Sequence, residues 1–270
     1  MIENILISLG VFVVAFLFAP IGMGGGMLFV PLLHYGLGWE INGALFAVSL
    51  TLTAVVSWGS GLAHRTERHY DDLALKIGLR GAIPGAVIGV GIVVLIGEQI
   101  EIAFKVLSLI MISWAMYKTA IKMRSDLKMQ GHSEDESNEG IQSIPLQFCA
   151  GIGGVLSSVL AIGAGVIYVP VLRAFAHLEP RKAIGTSLHL MMFVVPVAIL
   201  AHLSTLPSEM YSQLGEEIIL ISTFMFLTLL GSRSGAKYGM KYLSELQLMK
   251  IFLFITLLVG LKYVADLTSF

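Results

Sequence analysis

The sequence predicts an all-α polytopic membrane protein. Of its 270 residues, 56% are hydrophobic and 13% are charged, and the mean hydropathy is +0.84. Soluble domains carry about 25% charged residues, so this chain has too few charges to cover a globule of its size. The charged residues are also clustered, which leaves apolar tracts long enough to cross a bilayer. These observations exclude a soluble enzyme, a nucleic-acid-binding protein and a disordered regulator.

Six segments have the length and composition of single membrane crossings, each about 20 mostly apolar residues. Two other apolar regions, 5–38 and 146–177, are longer and are interrupted by glycine, at GMGGG (22–26) and IGAG (162–165). Each piece of these regions is too short to cross, so each region forms either a broken helix or a re-entrant hairpin. The predicted crossings are 42–63, 76–97, 100–118, 182–203, 215–232 and 246–266.

Charge placement favours the hairpins, because Lys and Arg mark cytoplasmic loops. With two hairpins, every basic cluster lies on one side, and connections poor in basic residues, such as those near Glu40 and Glu98, lie on the other. The polar segment 121–145 predicts a flexible cytoplasmic linker. We therefore expect a multi-pass protein of the cell membrane (inner or plasma membrane), surrounded by the lipid bilayer. The sequence leaves a homodimer open.

The two sides of the linker repeat one pattern. GGGMLFVPLL from Gly24 corresponds to GAGVIYVPVL from Gly163, an offset of 139 residues, and Ser49 matches Ser187 one gap later. Each repeat has a glycine-broken segment plus three transmembrane helices. Because three is odd, the second repeat enters the membrane from the opposite face. Such inverted repeats are typical of secondary transporters, whose substrate site lies near the midplane where the repeats meet. The repeats comprise residues 1–120 and 146–270.

The two glycine breaks are the first candidate site. An unwound backbone leaves amide N–H groups and the positive end of a helix dipole free to face a guest, and an anion fits that environment. The alternative is that these glycines only permit close packing between helices. The residues predicted to contact a small anionic substrate at the breaks are Gly22, Gly24, Gly25, Gly26, Gly163, Ala164 and Gly165.

Polar side chains in two crossings extend this candidate site. Ser49 and Thr53 begin a polar stripe that could bind an oxyanion through hydroxyl groups, or could bond back to its own helix. Thr186 and Ser187 lie in the matching crossing of the second repeat. His189 is the deepest titratable residue, and it could carry a coupling proton, hold an anion, or pack as a neutral ring.

Other residues have predicted structural roles. Pro31 and Pro170 lie in the helices that resume after the breaks, where proline would fix a kink. Intramembrane carboxylates are almost missing, which argues against a cation pump. The single Cys149 excludes an intrachain disulfide and a cysteine metal cage. We expect no catalytic residue, no metal and no cofactor. The residues assigned to helix packing are Gly85, Gly89, Gly231 and Gly235.

At these residues the sequence resembles the TauE/SafE family of membrane permeases. The resemblance covers nearly the whole chain outside 121–145. It rests on the paired G-x-G-G/A-G…V-P-x-L pattern, on AIGTS from Ala183, and on the P-G-x-x-x-G spacing from Pro84. The first repeat departs from AIGTS and reads LFAVS at 45–49, so it shares the serine alone. The resemblance implies an exporter or permease of small sulfur-containing or other organic anions, rather than an enzyme.

Three other functions stay open on the sequence. They are a cation or neutral-solute permease, a structural partner of another complex, and a redox subunit in which His64, His189 and His202 bind haem or a metal. His64 and His202 close the repeat-equivalent helices at opposite membrane faces, and no carboxylate accompanies them. This placement argues against the redox subunit.

Overall fold

The computed structural model describes residues 2–20, 22, 24–66, 69–128, 140–239, 242 and 245–268. Every regular element among them is a helix, which confirms the predicted all-α class. A 3-10 turn at Gly97–Gln99 joins α4 to α5, and a π-helical turn at Gly235–Gly239 follows α10. The helices are α1 (Ile2–Phe18), α2 (Gly26–Leu37), α3 (Gly43–Thr66), α4 (Asp72–Ile96), α5 (Ile100–Lys128), α6 (Ser143–Leu160), α7 (Gly165–Phe175), α8 (Pro180–Ser204), α9 (Ser208–Glu216), α10 (Ile218–Ser234) and α11 (Glu245–Thr268).

Five helical stretches are long and apolar enough to cross a membrane. The second of them is 46 residues long and contains both α4 and α5. This number of stretches fits a polytopic membrane protein. One of them is α6, so the expectation that each piece of 146–177 is too short to cross is wrong for this helix. In the described part of the chain the stretches are Gly43–Leu62, Asp72–Tyr117, Ser143–Leu160, Pro180–Ser204 and Ile218–Tyr238.

The two glycine-broken regions are antiparallel helical hairpins. In hairpin 1 (α1 and α2), Leu32 packs over Gly10 and Ile7 packs over Gly36. In hairpin 2 (α6 and α7), the backbone N–H of Gln142 donates to the Phe175 carbonyl at 2.8 Å and closes the base. With 17 and 12 residues, the helices of hairpin 1 are about 26 and 18 Å long, less than the hydrocarbon thickness of about 30 Å. We call the described residues between α1 and α2 (19, 20, 22, 24 and 25) tip 1 and residues 161–164 tip 2.

Helices of the two halves pack in exchanged pairs. The first helix of each hairpin contacts the other half, because α1 packs on α10 and α6 packs on α4. The remaining central pairs, α3 with α8 and α5 with α11, join equivalent helices. This pattern is the one expected when two similar halves are related by a twofold axis; the inverted repeat itself stays a prediction.

The predicted packing glycines lie at the exchanged contacts. Gly85 and Gly89 of α4 face the backbone of α6, and Gly231 and Gly235 face the backbone of α1. In each case a Cβ would come within 3.0 Å of a backbone carbonyl oxygen. The contacted carbonyls are Gly151 and Val155 in α6, and Phe12 and Phe16 in α1, which are two pairs 139 residues apart.

Some helix boundaries differ from the predicted ones. The α4 helix begins four residues before 76, because Asp71 Oδ1 caps it by accepting from the Ala74 N–H at 2.8 Å. The α5 helix continues to Lys128, so the predicted linker 121–145 starts as helix, and its residues 129–139 lie outside the described part. The crossing predicted from 215 begins instead at Ile218, because the polar sequence before it forms the separate helix α9.

Candidate functional site

Tips 1 and 2 meet between the middle of α3 and the middle of α8. Thr53 is the eleventh of the 24 residues of α3, and Met191 is the twelfth of the 25 residues of α8. A Cβ built on Gly24 would lie 2.9 Å from the Thr53 γ-methyl carbon and 3.2 Å from the Met191 sulfur. A Cβ built on Gly163 would lie 3.2 Å from the same sulfur and even closer to the same methyl. Two breaks that are far apart in the chain are therefore neighbours in space.

Both tips adopt left-handed backbone conformations. The φ angle is 73° at Gly24 and 71° at Gly163. Tip 2 also holds Ala161 at a φ of 50° and Ala164 at a φ of 54°. For a residue with a Cβ this conformation costs about 1–2 kcal/mol, and residues strained in this way cluster at functional sites.

Two more of the predicted glycines, Gly22 and Gly26, lie at the junction of the tips, and a third, Gly25, does not. Gly26 begins α2 directly against the other tip, where a Cβ would lie 2.6 Å from the Ile162 Cα. Gly22 lies against Ile184 of α8, 2.7 Å from a built Cβ. Gly25 faces the interior of its own hairpin instead. Gly26 is thus the point where the backbones of the two tips meet.

Two serines hold the tips through an exchanged pair of hydrogen bonds. Ser49 Oγ on α3 donates to the Ala161 carbonyl of tip 2 at 3.1 Å. Ser187 Oγ on α8 donates to the Gly22 carbonyl of tip 1 at 3.5 Å. The two serines are repeat equivalents, and so are the two carbonyls. Each serine therefore holds the tip of the opposite half, and its hydroxyl is already engaged.

Thr53, whose γ-methyl carbon packs against both tips, is one of several buried polar side chains in the described part of the chain without a hydrogen-bond partner. It is fully buried, and its Oγ1 has no hydrogen-bond partner. On the same stripe, Ser57 donates to its own helix at 2.8 Å, and Ser60 donates to a carbonyl of tip 1 at 2.8 Å. Gly26 and Gly165 begin α2 and α7 at this junction. The first N–H groups of a helix have no intrahelical partner and carry about half a positive charge in total.

The predicted residues of α8 lie on two different faces. Ser187 faces tip 1, whereas Thr186 and His189 contact the connection between α3 and α4. The Thr186 Oγ1 accepts from the Asp71 N–H at 3.0 Å. The His189 ring stacks on Tyr70, with ring centroids 4.4 Å apart and planes at 17°. The structure therefore does not bring Thr186 or His189 into the junction of the tips.

Pro31 and Pro170 occupy matching places in the hairpins. Each is the sixth residue of the helix that follows a tip, Pro31 in α2 and Pro170 in α7. Neither is among the side chains that approach Gly24 or Gly163 most closely, which are Thr53 and Met191. Met191 was not among the predicted site residues, although it occupies the position of the second repeat that corresponds to Thr53.

An ion-pair cluster around one buried lysine lies away from the tips. Lys105 of α5 is buried and contacts Glu101 at 2.7 Å and Asp266 of α11 at 3.0 Å. The Tyr35 hydroxyl of α2 donates to the same Asp266 carboxylate at 2.7 Å. The cluster ties hairpin 1 to α5 and α11. Sequence analysis missed it because the two charges are 161 positions apart in the chain.

The histidines considered as haem or metal ligands have other contacts. His189 Nδ1 donates to the Gly185 carbonyl at 2.7 Å, and His202 Nε2 donates to the Ser158 carbonyl at 3.1 Å. The His64 side chain lies outside the described part of the structure. Among the described residues, no group of three or more His, Cys, Asp or Glu side chains could hold a metal ion.

A family comparison decides the class of protein. The family model described as sulfite exporter TauE/SafE matches residues 7–263. The chain belongs to the TauE/SafE family. The match spans both hairpins, Thr53 and Met191, and it confirms the resemblance of the paired glycine motifs. This TauE/SafE chain is thus a multi-pass membrane protein from a family of transporters. Searches of curated proteins and of solved structures gave no match.

Proposed function

We propose that this TauE/SafE protein exports sulfite or a related small sulfur-containing or organic anion through the junction of tips 1 and 2. The observation that carries the proposal is the buried, unpartnered hydroxyl of Thr53, a residue whose γ-methyl carbon packs against Gly24 and Gly163 just before α2 and α7 begin. A buried polar group without a partner costs about 1–3 kcal/mol. That cost is explained if the hydroxyl donates to a ligand, and an anionic oxygen is the acceptor that helix N-termini favour.

The side chains at the junction suit a ligand that must also leave. The side chains that contact Gly22, Gly24 and Gly163 are Ile184, Thr53 and Met191, and all three are uncharged. A site without a full positive charge holds an anion less tightly than an Arg or Lys side chain would, and a permeant ion must bind weakly enough to be released. The Met191 thioether is polarisable and flexible, so it can adapt to anions of different shape.

The exchanged contacts support alternating access between two inverted halves. Ser49 holds tip 2 and Ser187 holds tip 1, so each hairpin depends on a helix of the other half. If one tip leaves its serine while the other stays, the junction opens toward one side of the membrane only. Rocking of one repeat against the other around a fixed central site is the usual mechanism of inverted-repeat transporters.

The membrane potential can drive export without a coupling ion. We place the protein in the inner or plasma membrane, with the basic loops inside. An interior-negative potential supplies about 2.3 kcal/mol per charge per 100 mV for an anion that moves outward. Uptake of the same anion would need a coupled cation or proton.

Sulfite flux in proteoliposomes should follow an imposed potential. We expect efflux to accelerate when the interior is made negative with potassium and valinomycin, and to slow when the sign is reversed. Flux that ignores the potential but follows a sodium gradient would contradict uncoupled export and favour a cation-coupled permease. Liposomes without protein provide the background rate.

Replacing Thr53 with valine should slow transport strongly without destabilising the protein. The two side chains have the same shape, and the lost hydroxyl has no partner in the protein. A hydrogen bond to a charged group contributes about 1.5–3 kcal/mol, so we expect sulfite flux to fall about 10- to 100-fold. The thermal midpoint should stay the same or rise, because an unsatisfied buried group is gone.

Thr53→Ser is the matched control, because it keeps the hydroxyl and removes the γ-methyl. It should retain most of the flux. If Thr53→Val transports sulfite as fast as the native protein, the hydroxyl is not a substrate ligand, and the proposed site is wrong.

A further inference from the structure

The first half of α8 is held on two opposite faces. At 100° per residue, Ile184, Ser187 and Met191 lie within about 60° of arc. These residues face the tips: Ile184 lies 2.7 Å from a Cβ built on Gly22, and Ser187 bonds to the same glycine. His189 lies well outside that arc and is buried by a different element.

The connection between α3 and α4 covers the opposite face. We call its residues 69–71 the strap. The Tyr70 ring lies parallel to the His189 imidazole at 4.4 Å, and the Asp71 N–H donates to Thr186 Oγ1 at 3.0 Å. Asp71 also caps α4 through its carboxylate, which accepts from the Ala74 N–H at 2.8 Å. The strap therefore joins the beginning of α4 to the back of α8.

The strap contacts α8 at the level of the candidate site. His189 and Met191 are two residues apart, which is about 3 Å along the helix axis. A displacement of α8 at His189 would therefore also displace Met191, and with it the Ser187 hydroxyl that holds tip 1. The strap and tip 1 therefore contact opposite faces of the same short stretch of α8.

The contact is stable but contains one unsatisfied atom. His189 Nδ1 donates to the Gly185 carbonyl at 2.7 Å, while its Nε2 is buried without a partner. A buried polar atom without a partner disfavours the state that buries it, and water would reach Nε2 if the strap moved away. At the equivalent position of α3, Thr51 donates to the Ala47 carbonyl of its own helix at 2.7 Å. The histidine contact is thus a feature of α8.

We propose that Tyr70 is a positioning residue that locks α8 against tip 1 and keeps the junction closed toward the side of the basic loops. The inference rests on the proposed function, because it assigns the junction as the site to be opened. Tyr70 touches no substrate and acts through His189 on Ser187 and Met191. When the strap leaves α8, the helix can separate from tip 1, and a route to Thr53 opens from that side.

Cysteine accessibility tests the lock directly. In a Cys149→Ser background, Thr53→Cys serves as the reporter, since Cys149 is the one cysteine of the chain. Inside-out vesicles, which expose the basic loops, are treated with a cationic, membrane-impermeant methanethiosulfonate. Adding Tyr70→Ala should speed labelling about tenfold, since loss of an aromatic pair and its packing removes roughly that factor from a closed state. Right-side-out vesicles should show no increase.

The controls separate lock release from general loosening. Tyr70→Phe keeps the ring and should label slowly, as should Tyr117→Ala, which removes an exposed tyrosine of α5. Met191→Cys is a second reporter in case Thr53→Cys does not fold. Equal labelling with and without Tyr70→Ala, or faster labelling from both sides, would overturn the proposal. The assay needs no anion, so a failure of sulfite transport with side-specific labelling would contradict the substrate and leave the lock in place.

Discussion

Gly163→Ala should abolish sulfite transport, and Gly24→Ala should do nearly the same. The new Cβ at either position falls on the Thr53 γ-methyl, under 3.0 Å away, and 3.2 Å from the Met191 sulfur. The tip must then move by about 1 Å from Thr53, and misplacing positioned groups by that distance costs about a hundredfold in enzymes. We expect a loss of that order in proteoliposome flux. The left-handed backbone adds about 1–2 kcal/mol of destabilisation.

Gly38→Ala separates this contact from backbone strain. Gly38 has a φ of 70°, close to that of Gly163, but nothing lies within 4 Å of its built Cβ. It should show the same loss of stability and normal flux. A second control restores space: Gly163→Ala combined with Thr53→Ser removes the methyl that the new Cβ meets and keeps the hydroxyl. If this double variant stays inactive while Gly38→Ala also loses transport, strain and not the junction explains the defect.

The tips were predictable because a cluster of glycines inside an apolar segment indicates, from local sequence alone, where the helix is interrupted. Gly24 and Gly163 need no long-range information to mark an unwound point, and their repetition shows that both halves use it. Ser49 and Ser187 were predicted because they are polar residues at matching positions of two apolar crossings. Its role differs from the expected one, because Ser49 and Ser187 bond to tip carbonyls rather than offering free hydroxyls.

The remaining features depend on tertiary placement that no local pattern encodes. His189 was correctly placed deep in its helix, yet depth does not say which face of α8 meets the tips. Tyr70 lies in a connection without periodicity, so its stack on His189 had no signal in the sequence. Met191 was missed because it is apolar and the prediction looked for polar residues and glycines, although Met191 occupies the position equivalent to Thr53.

Gly85→Ala should destabilise the fold more than any other single-methyl change discussed above. Its Cβ would fall on the backbone of α6. It would lie under 3.0 Å from both the oxygen and the carbon of the Gly151 carbonyl, and 3.1 Å from the Gly151 Cα. Backbone atoms cannot rotate away, so α4 and α6 must separate along the contact. Overpacking of this kind costs about 1–3 kcal/mol and occasionally more, and we expect the upper end in thermal or denaturant unfolding of the purified protein.

Two other glycines make this test specific. Gly91 lies on the same helix with nothing within 4 Å of its built Cβ. Gly91→Ala should therefore stabilise α4 slightly, by up to about 1 kcal/mol, because alanine is the better helix former. Gly235, the repeat equivalent of Gly89, faces the Phe16 carbonyl at the exchanged contact of the other half. Gly235→Ala should be as harmful as Gly85→Ala if the two interfaces are related by the repeat. If Gly235→Ala is harmless, α1 and α10 pack loosely. The contact of α1 with α10 would then not be equivalent to the contact of α4 with α6.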